Sequence, residues 1–241
     1  MQEISLTVDG IKLNGKIFRY ADSNTMQPGA LIIHGWESKQ DRMFMLAEAL
    51  AQKGYCCLTV DMRGHGASEG DHKTFSRKDF LKDVVAAYDF LVAQENIDTE
   101  DIIAIGSSFG SYLISLLSAE RKLKAIVLRV PADYRDEGFD KPLHEQRGQE
   151  SHSMWKEQPH TNTETAALRA IHNFDGSLLI VESEKDELVP VPTLMSYVQA
   201  APNPAKLRHV LMANAPHSIS HHPELQRQFA DIVSDWLNSL K

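Results

Sequence analysis

Cysteine is scarce in this chain, and what there is sits together: Cys56 and Cys57 are the only two in 241 residues. A disulfide between neighbours would be strained, so two reduced, buried thiols are expected, and with them a reducing compartment, the cytoplasm. Basic charge is also short. Lys and Arg total 25 against 33 Asp and Glu, for a formal net charge of −8. That balance excludes the basic stripes on which nucleic acid binding relies, and it disfavours an anionic membrane surface as a partner. No apolar run approaches the roughly 20 residues of a membrane span. The opening Met1-Gln2-Glu3-Ile4 has neither the basic nor the apolar stretch of a signal peptide, so no leader is expected. Internal repeats and low-complexity segments are missing too, and residues 1–241 read as a single domain. What remains is the composition of a soluble enzyme whose substrates are neutral or have their charge handled locally.

Hydrophobic patterning supplies the elements. Residues 4–8 and 11–20 alternate apolar with polar side chains around Asp9-Gly10, a hairpin signal. Residues 30–33 are a continuous apolar run, as expected of a strand covered by helices on both faces, and residues 55–60 read as another buried strand. Helical spacing marks 42–53, which ends at Gly54, and 77–93, where Phe80, Leu81, Val84, Tyr88 and Leu91 recur. Further strands are expected at 101–105, 125–130, 177–181 and 206–212, with helices after Tyr112, at 193–199 and at 225–240. Strands alternating with helices behind an antiparallel hairpin imply an α/β fold with a doubly wound, mostly parallel sheet. Residues 132–165 are polar and carry Pro142 and Pro159. That is too long for an ordinary connection, so a short lid or cap insertion, or a partly mobile loop, is expected there.

The chemistry centres on Gly106-Ser107-Ser108-Phe109-Gly110, between an apolar run and a helical pattern. Strand, sharp turn and helix are the setting in which G-x-S-x-G presents a nucleophile. Ser108 has glycines two residues to either side, whereas Ser107 would have Ile105 and Phe109, so Ser108 is the candidate. A base should lie on a loop at the carboxyl end of a later strand, and His217, in Asn214-Ala215-Pro216-His217, meets that demand. His209 falls inside a strand, His144, His152 and His160 fall in the insertion, and His221 and His222 lack the spacing of a zinc site. The orienting acid should stand between nucleophile and base. Glu182, Glu184, Asp186 and Glu187 all qualify; Asp186 is preferred because it sits in the turn, Glu184 is second, and four solvated loop charges are the bland alternative.

Together with His34-Gly35-Trp36, Asp61-Met62-Arg63-Gly64-His65-Gly66-Ala67-Ser68 and Asp186-Glu187-Leu188-Val189-Pro190, these segments resemble the α/β-hydrolase superfamily in order and spacing. Within it the chain is similar to small bacterial serine esterases and to serine aminopeptidase-like or acylglycerol-lipase-like hydrolases. The resemblance implies an eight-stranded sheet and a Ser108-His217-Asp186 triad. It also implies an oxyanion hole made by the backbone N–H groups of Trp36 and Phe109, a structural role for His34, and a polar network involving Asp61 and Arg63. Two departures stand out: Ser111 where Gly or Ala is common, and Ser183 where Gly is frequent before the acid.

The expected function is hydrolysis of carboxylic esters with small to medium acyl groups, without cofactor or metal, the partner being a small-molecule ester. An aminopeptidase or amidase is the alternative, with Asp133, Asp136 or Glu137 holding a substrate amine. A thioesterase is a third reading. A non-catalytic binding protein on the same fold is a fourth, against which stands the retention of all three triad residues. Phe139, Leu143, Met154 and Trp155 are expected either to form an apolar lid over an acyl pocket or simply to anchor the insertion.

Overall fold

A tight hairpin starts the sheet. In the computed structural model, which describes residues 1–20, 25–147 and 149–240, β1 (Gln2–Val8) and β2 (Ile11–Phe18) pair antiparallel across Asp9 and Gly10. Both turn residues have positive φ, 52° and 81°, the left-handed pair that a two-residue turn matching the strand twist requires. Strands β3 (Gln27–Ile33), β4 (Cys56–Val60), β5 (Ile97–Ser107), β6 (Ala125–Arg129), β7 (Ser177–Lys185) and β8 (Leu207–Pro216) complete an 8-stranded sheet ordered β1-β2-β4-β3-β5-β6-β7-β8. From β4 onward every pairing is parallel.

Helices cover both faces, which is why the central strands read as unbroken apolar runs. Leu31, Ile33, Cys56 and Leu58 face one core, packed under α2 (Arg77–Val92), α3 (Phe109–Glu120), α6 (Ala166–His172) and α7 (Val191–Ala200). Ala30, Ile32, Cys57, Ile103 and Ile105 face the other, under α1 (Phe44–Gln52) and α8 (Pro223–Asn238). Each fully buried Leu or Ile among them contributes about 1.5–3 kcal/mol. The strand alternation sends the two cysteines into opposite cores as free thiols. Local signals start the helices. Ser76 and Asp79 form a reciprocal capping box on α2, and the Thr165 hydroxyl accepts the Leu168 N–H at the head of α6.

Residues 132–165 are more ordered than their polarity suggests. They contain α4 (Leu143–Arg147) and α5 (Glu150–Lys156). The segment is tied to the body by a bridge from Ser76 to Pro142 and by the fully buried Arg77, whose guanidinium donates to the carbonyls of Arg135 and Glu137. No helix among the described residues is long and apolar enough to cross a membrane.

Candidate active site

Ser108 stands between β5 and α3 with φ 55° and ψ −115°, a strained backbone that costs on the order of 1–3 kcal/mol and persists only where its surroundings enforce it. The flanking glycines are needed for clearance. A Cβ on Gly106 would lie 2.4 Å from the Ser111 amide nitrogen, and one on Gly110 would lie 2.5 Å from the Ile33 carbonyl oxygen. The turn through Gly35 abuts this elbow, since a Cβ there would sit 3.4 Å from the Ser108 Cβ. That brings Trp36 beside Phe109, whose rings meet edge to face at 5.6 Å.

His217 follows β8 and Asp186 follows β7. The imidazole Nε2 is 3.0 Å from Ser108 Oγ, and Nδ1 is 2.8 and 2.9 Å from the two Asp186 oxygens. Burial works to raise the Asp186 carboxyl, but hydrogen bonds from His217 and from the Leu188 and Val189 amides outweigh it and hold the group below the ordinary carboxylate range. The neighbouring carboxylates each have another partner. Glu182 meets His209, Glu184 accepts the Asn214 N–H, and Glu187 accepts the His217 N–H. Ser107 is turned to the Arg129 guanidinium, 3.3 Å away.

A cavity of about 690 Å³ opens at Ser108 and His217. One wall holds Trp36, His65 and His72; another, from the insertion, holds Asp133, Tyr134, His152 and Lys156; Leu188, Val189 and Ile219 add apolar surface. Here the structure corrects the proposed lid: none of Phe139, Leu143, Met154 and Trp155 lines this cavity. Leu143 is fully buried in the main core, Phe139 packs against that core under Arg77, Trp155 stacks on His160 at 4.0 Å, and Met154 points outward at 64% exposure. Leu143, Phe139 and Trp155 anchor the segment, and Met154 does neither. Tyr134 and His152, stacked at 5.3 Å, form the wall instead; their apolar character is that of ring faces, which hydropathy does not flag.

Asp61 and Arg63 both serve structure, but in separate networks. Asp61 accepts N–H groups of Gln40 and Ala67, while Arg63 forks onto Asp83. His34 is buried, its Nε2 accepting the Met62 N–H. His65 lines the cavity, where burial and the neighbouring His34 push it down to about 3, so it is neutral. Among the described residues no group of three or more His, Cys, Asp or Glu is arranged to hold a metal ion.

A family model described as serine aminopeptidase, S33, matches residues 27–149, just over half of the chain. The chain belongs to this family. The thiohydrolase aneE of Aspergillus aculeatus is 30% identical over 138 residues, covering 55% of this chain and 42% of that protein. An uncharacterized protein of Mycobacterium tuberculosis is 30% identical over 125 residues, covering 52% of this chain and 43% of that protein. The chain thus spans less than half the length of these curated relatives. Among solved structures, Est1E from Butyrivibrio proteoclasticus, with ferulic acid bound, superimposes with a TM-score of 0.75 at 20% identity over 98% of both chains. The fold is that of the α/β hydrolases.

Proposed function

We propose that this protein is a serine hydrolase that cleaves carboxylic esters of small to medium acyl groups. The observation that carries the reading is the continuous hydrogen-bonded line from Ser108 Oγ through His217 to Asp186, ending in an open cavity. In this reading His217 takes the serine proton as Oγ attacks the carbonyl carbon, and Asp186 fixes the ring so that Nε2 faces Oγ and stabilises the imidazolium that forms. The amides of Trp36 and Phe109 receive the oxyanion, the latter at the N-terminus of α3, where the helix dipole favours negative charge. The alcohol leaves with the proton from His217, and water, deprotonated by the same imidazole, releases the acid. Every step uses groups of the chain and water.

An aminopeptidase needs a carboxylate free to take the substrate amine. Asp136 is occupied by Arg169 and the Ala166 N–H, and Asp133 accepts from Thr165 and the Tyr134 N–H deep in the wall. Glu137, the third candidate, does not line the cavity, and ester cleavage is therefore favoured. Ser108→Ala should lower kcat by about 10⁴-fold or more while leaving the thermal midpoint near wild type. A panel of p-nitrophenyl esters, acyl thioesters and aminoacyl anilides ranks the leaving groups; retained esterase activity in the variant, or anilides preferred by orders of magnitude, would overturn the reading.

A further inference from the structure

We propose that Arg129 is a positioning residue for this site, joining the loop that carries His217 to the elbow that carries Ser108. The inference rests on the reading of those two residues as base and nucleophile. Arg129 ends β6 and is only 3% exposed. Its main chain holds the elbow, and its side chain spans from the elbow to the carboxyl ends of β7 and β8. The carbonyl oxygen accepts the Ser108 N–H at 2.9 Å and the Ser111 hydroxyl at 3.0 Å. The guanidinium Nη2 donates to the carbonyls of His217 at 2.8 Å and Pro216 at 3.2 Å and to Ser183 Oγ at 3.0 Å, while Nη1 donates to Ser107 Oγ at 3.3 Å. Ser183, a departure from the commoner glycine, thus gives the guanidinium a hydroxyl acceptor that a glycine could not supply.

The charge of this side chain is the second part of the argument. All of its acceptors are neutral oxygens, and Nε has no partner among the described residues. A guanidinium buried without direct pairing to a carboxylate is costly, and an apolar side chain would fill the space at less expense in desolvation. Burial lowers its pKa to about 10, against the pull of Asp186 and Glu187, so it stays cationic at neutral pH. Around the imidazole, the loop after β7 supplies Asp186 on Nδ1 and Glu187 on the main-chain N–H, the elbow supplies neutral Ser108, and α8 supplies uncharged Phe229 beside Arg129. Asp133, His152 and Lys156 of the insertion, and His221 before α8, line the same cavity, as do Glu37, Lys39 and Arg42 after β3. Arg129 thus sets a buried positive charge against the two carboxylates that hold the His217 ring and main chain.

The test follows the His217 imidazole by NMR titration, alongside the pH profile of kcat/KM on p-nitrophenyl acetate. The proteins are wild type, Arg129→Met, Arg129→Lys and Ser183→Ala. Arg129→Met should raise the His217 pKa by about one pH unit and carry the acid limb of the profile upward with it. It should also lower kcat about tenfold or more with KM little changed. Arg129→Lys should bring the titration back to within a few tenths of wild type, yet recover only part of kcat, because one ammonium nitrogen cannot replace both Nη2 on the His217 loop and Ser183 and Nη1 on Ser107. Ser183→Ala should cut kcat a few-fold and leave the titration in place. An unmoved titration in Arg129→Met, or a fully active Arg129→Lys, would overturn the proposal; if the methionine variant does not fold, the lysine and Ser183 variants decide it. The titration needs no turnover, so an inactive wild type would sink the reading of the site while the effect of Arg129 on His217 is still measured.

Discussion

At the scale of single residues, clearance governs the elbow. Gly110 has ordinary backbone angles, yet its missing Cβ is what lets α3 approach the Ile33 and His34 carbonyls, 2.5 and 2.6 Å from where that atom would lie. Both obstacles are main chain, which cannot rotate aside. Gly110→Ala should therefore cost about 3 kcal/mol or more and lower the thermal midpoint by about 8 °C, read by differential scanning calorimetry; a change of under a degree would refute the packing argument. Residue identities were partly legible from sequence. The glycines singled out Ser108, and the position of His217 after the last strand singled it out as well. The four carboxylates after β7 were not separable by spacing alone, because each loop residue points where the local turn sends it. Asp186 reaches His217 because the Leu188 and Val189 amides fold the loop back onto its carboxylate. Arg129 left one faint trace, a charge at the end of an otherwise apolar run.

At the scale of elements, strands and long helices were legible and short helices were not. The hairpin, the central strands, α2 and α8 carry clear periodicity, and the structure places them within a few residues of the expected bounds. The helices α4 and α5 are too short for propensity to decide them, and isolated helices of this length do not form in water. They exist because Leu143 is inserted into the core and Trp155 is stacked against His160. Removing the anchor should free the segment before it unfolds the protein. Leu143→Ala is expected to cost about 2–5 kcal/mol and to make residues 143–160 the first site of limited proteolysis. Cleavage spread evenly over the chain would contradict a locally anchored insertion.

At the scale of the whole molecule, stability should respond to Asp133. It is buried and its carboxyl is raised to about 7 by desolvation, against hydrogen bonds from the Tyr134 amide and Thr165. The folded value lies above the unfolded one, so between about pH 4 and 7 the native state keeps a proton that the unfolded chain has released. Stability then falls as pH rises through that window. Asp133→Asn removes the penalty, and the gap between variant and wild type should grow from pH 4 to pH 8 by an amount on the order of 4 kcal/mol in urea unfolding. A gap that does not change with pH would show that Asp133 is ionised in the native state.

The order of strands has one more consequence. Among the described residues β8 lies at the rim of the sheet, bonded to β7 alone and largely exposed along its length. Rim strands detach at lower free energy than central ones. The elbow, by contrast, hangs from β5 in the middle of the sheet, next to β3 and β6. Ser108 and His217, the proposed nucleophile and base, thus sit on supports of unequal durability. Brief fraying of the rim would part His217 from Ser108 while the centre of the sheet stays intact, a loss of the proposed site that reverses without unfolding the core.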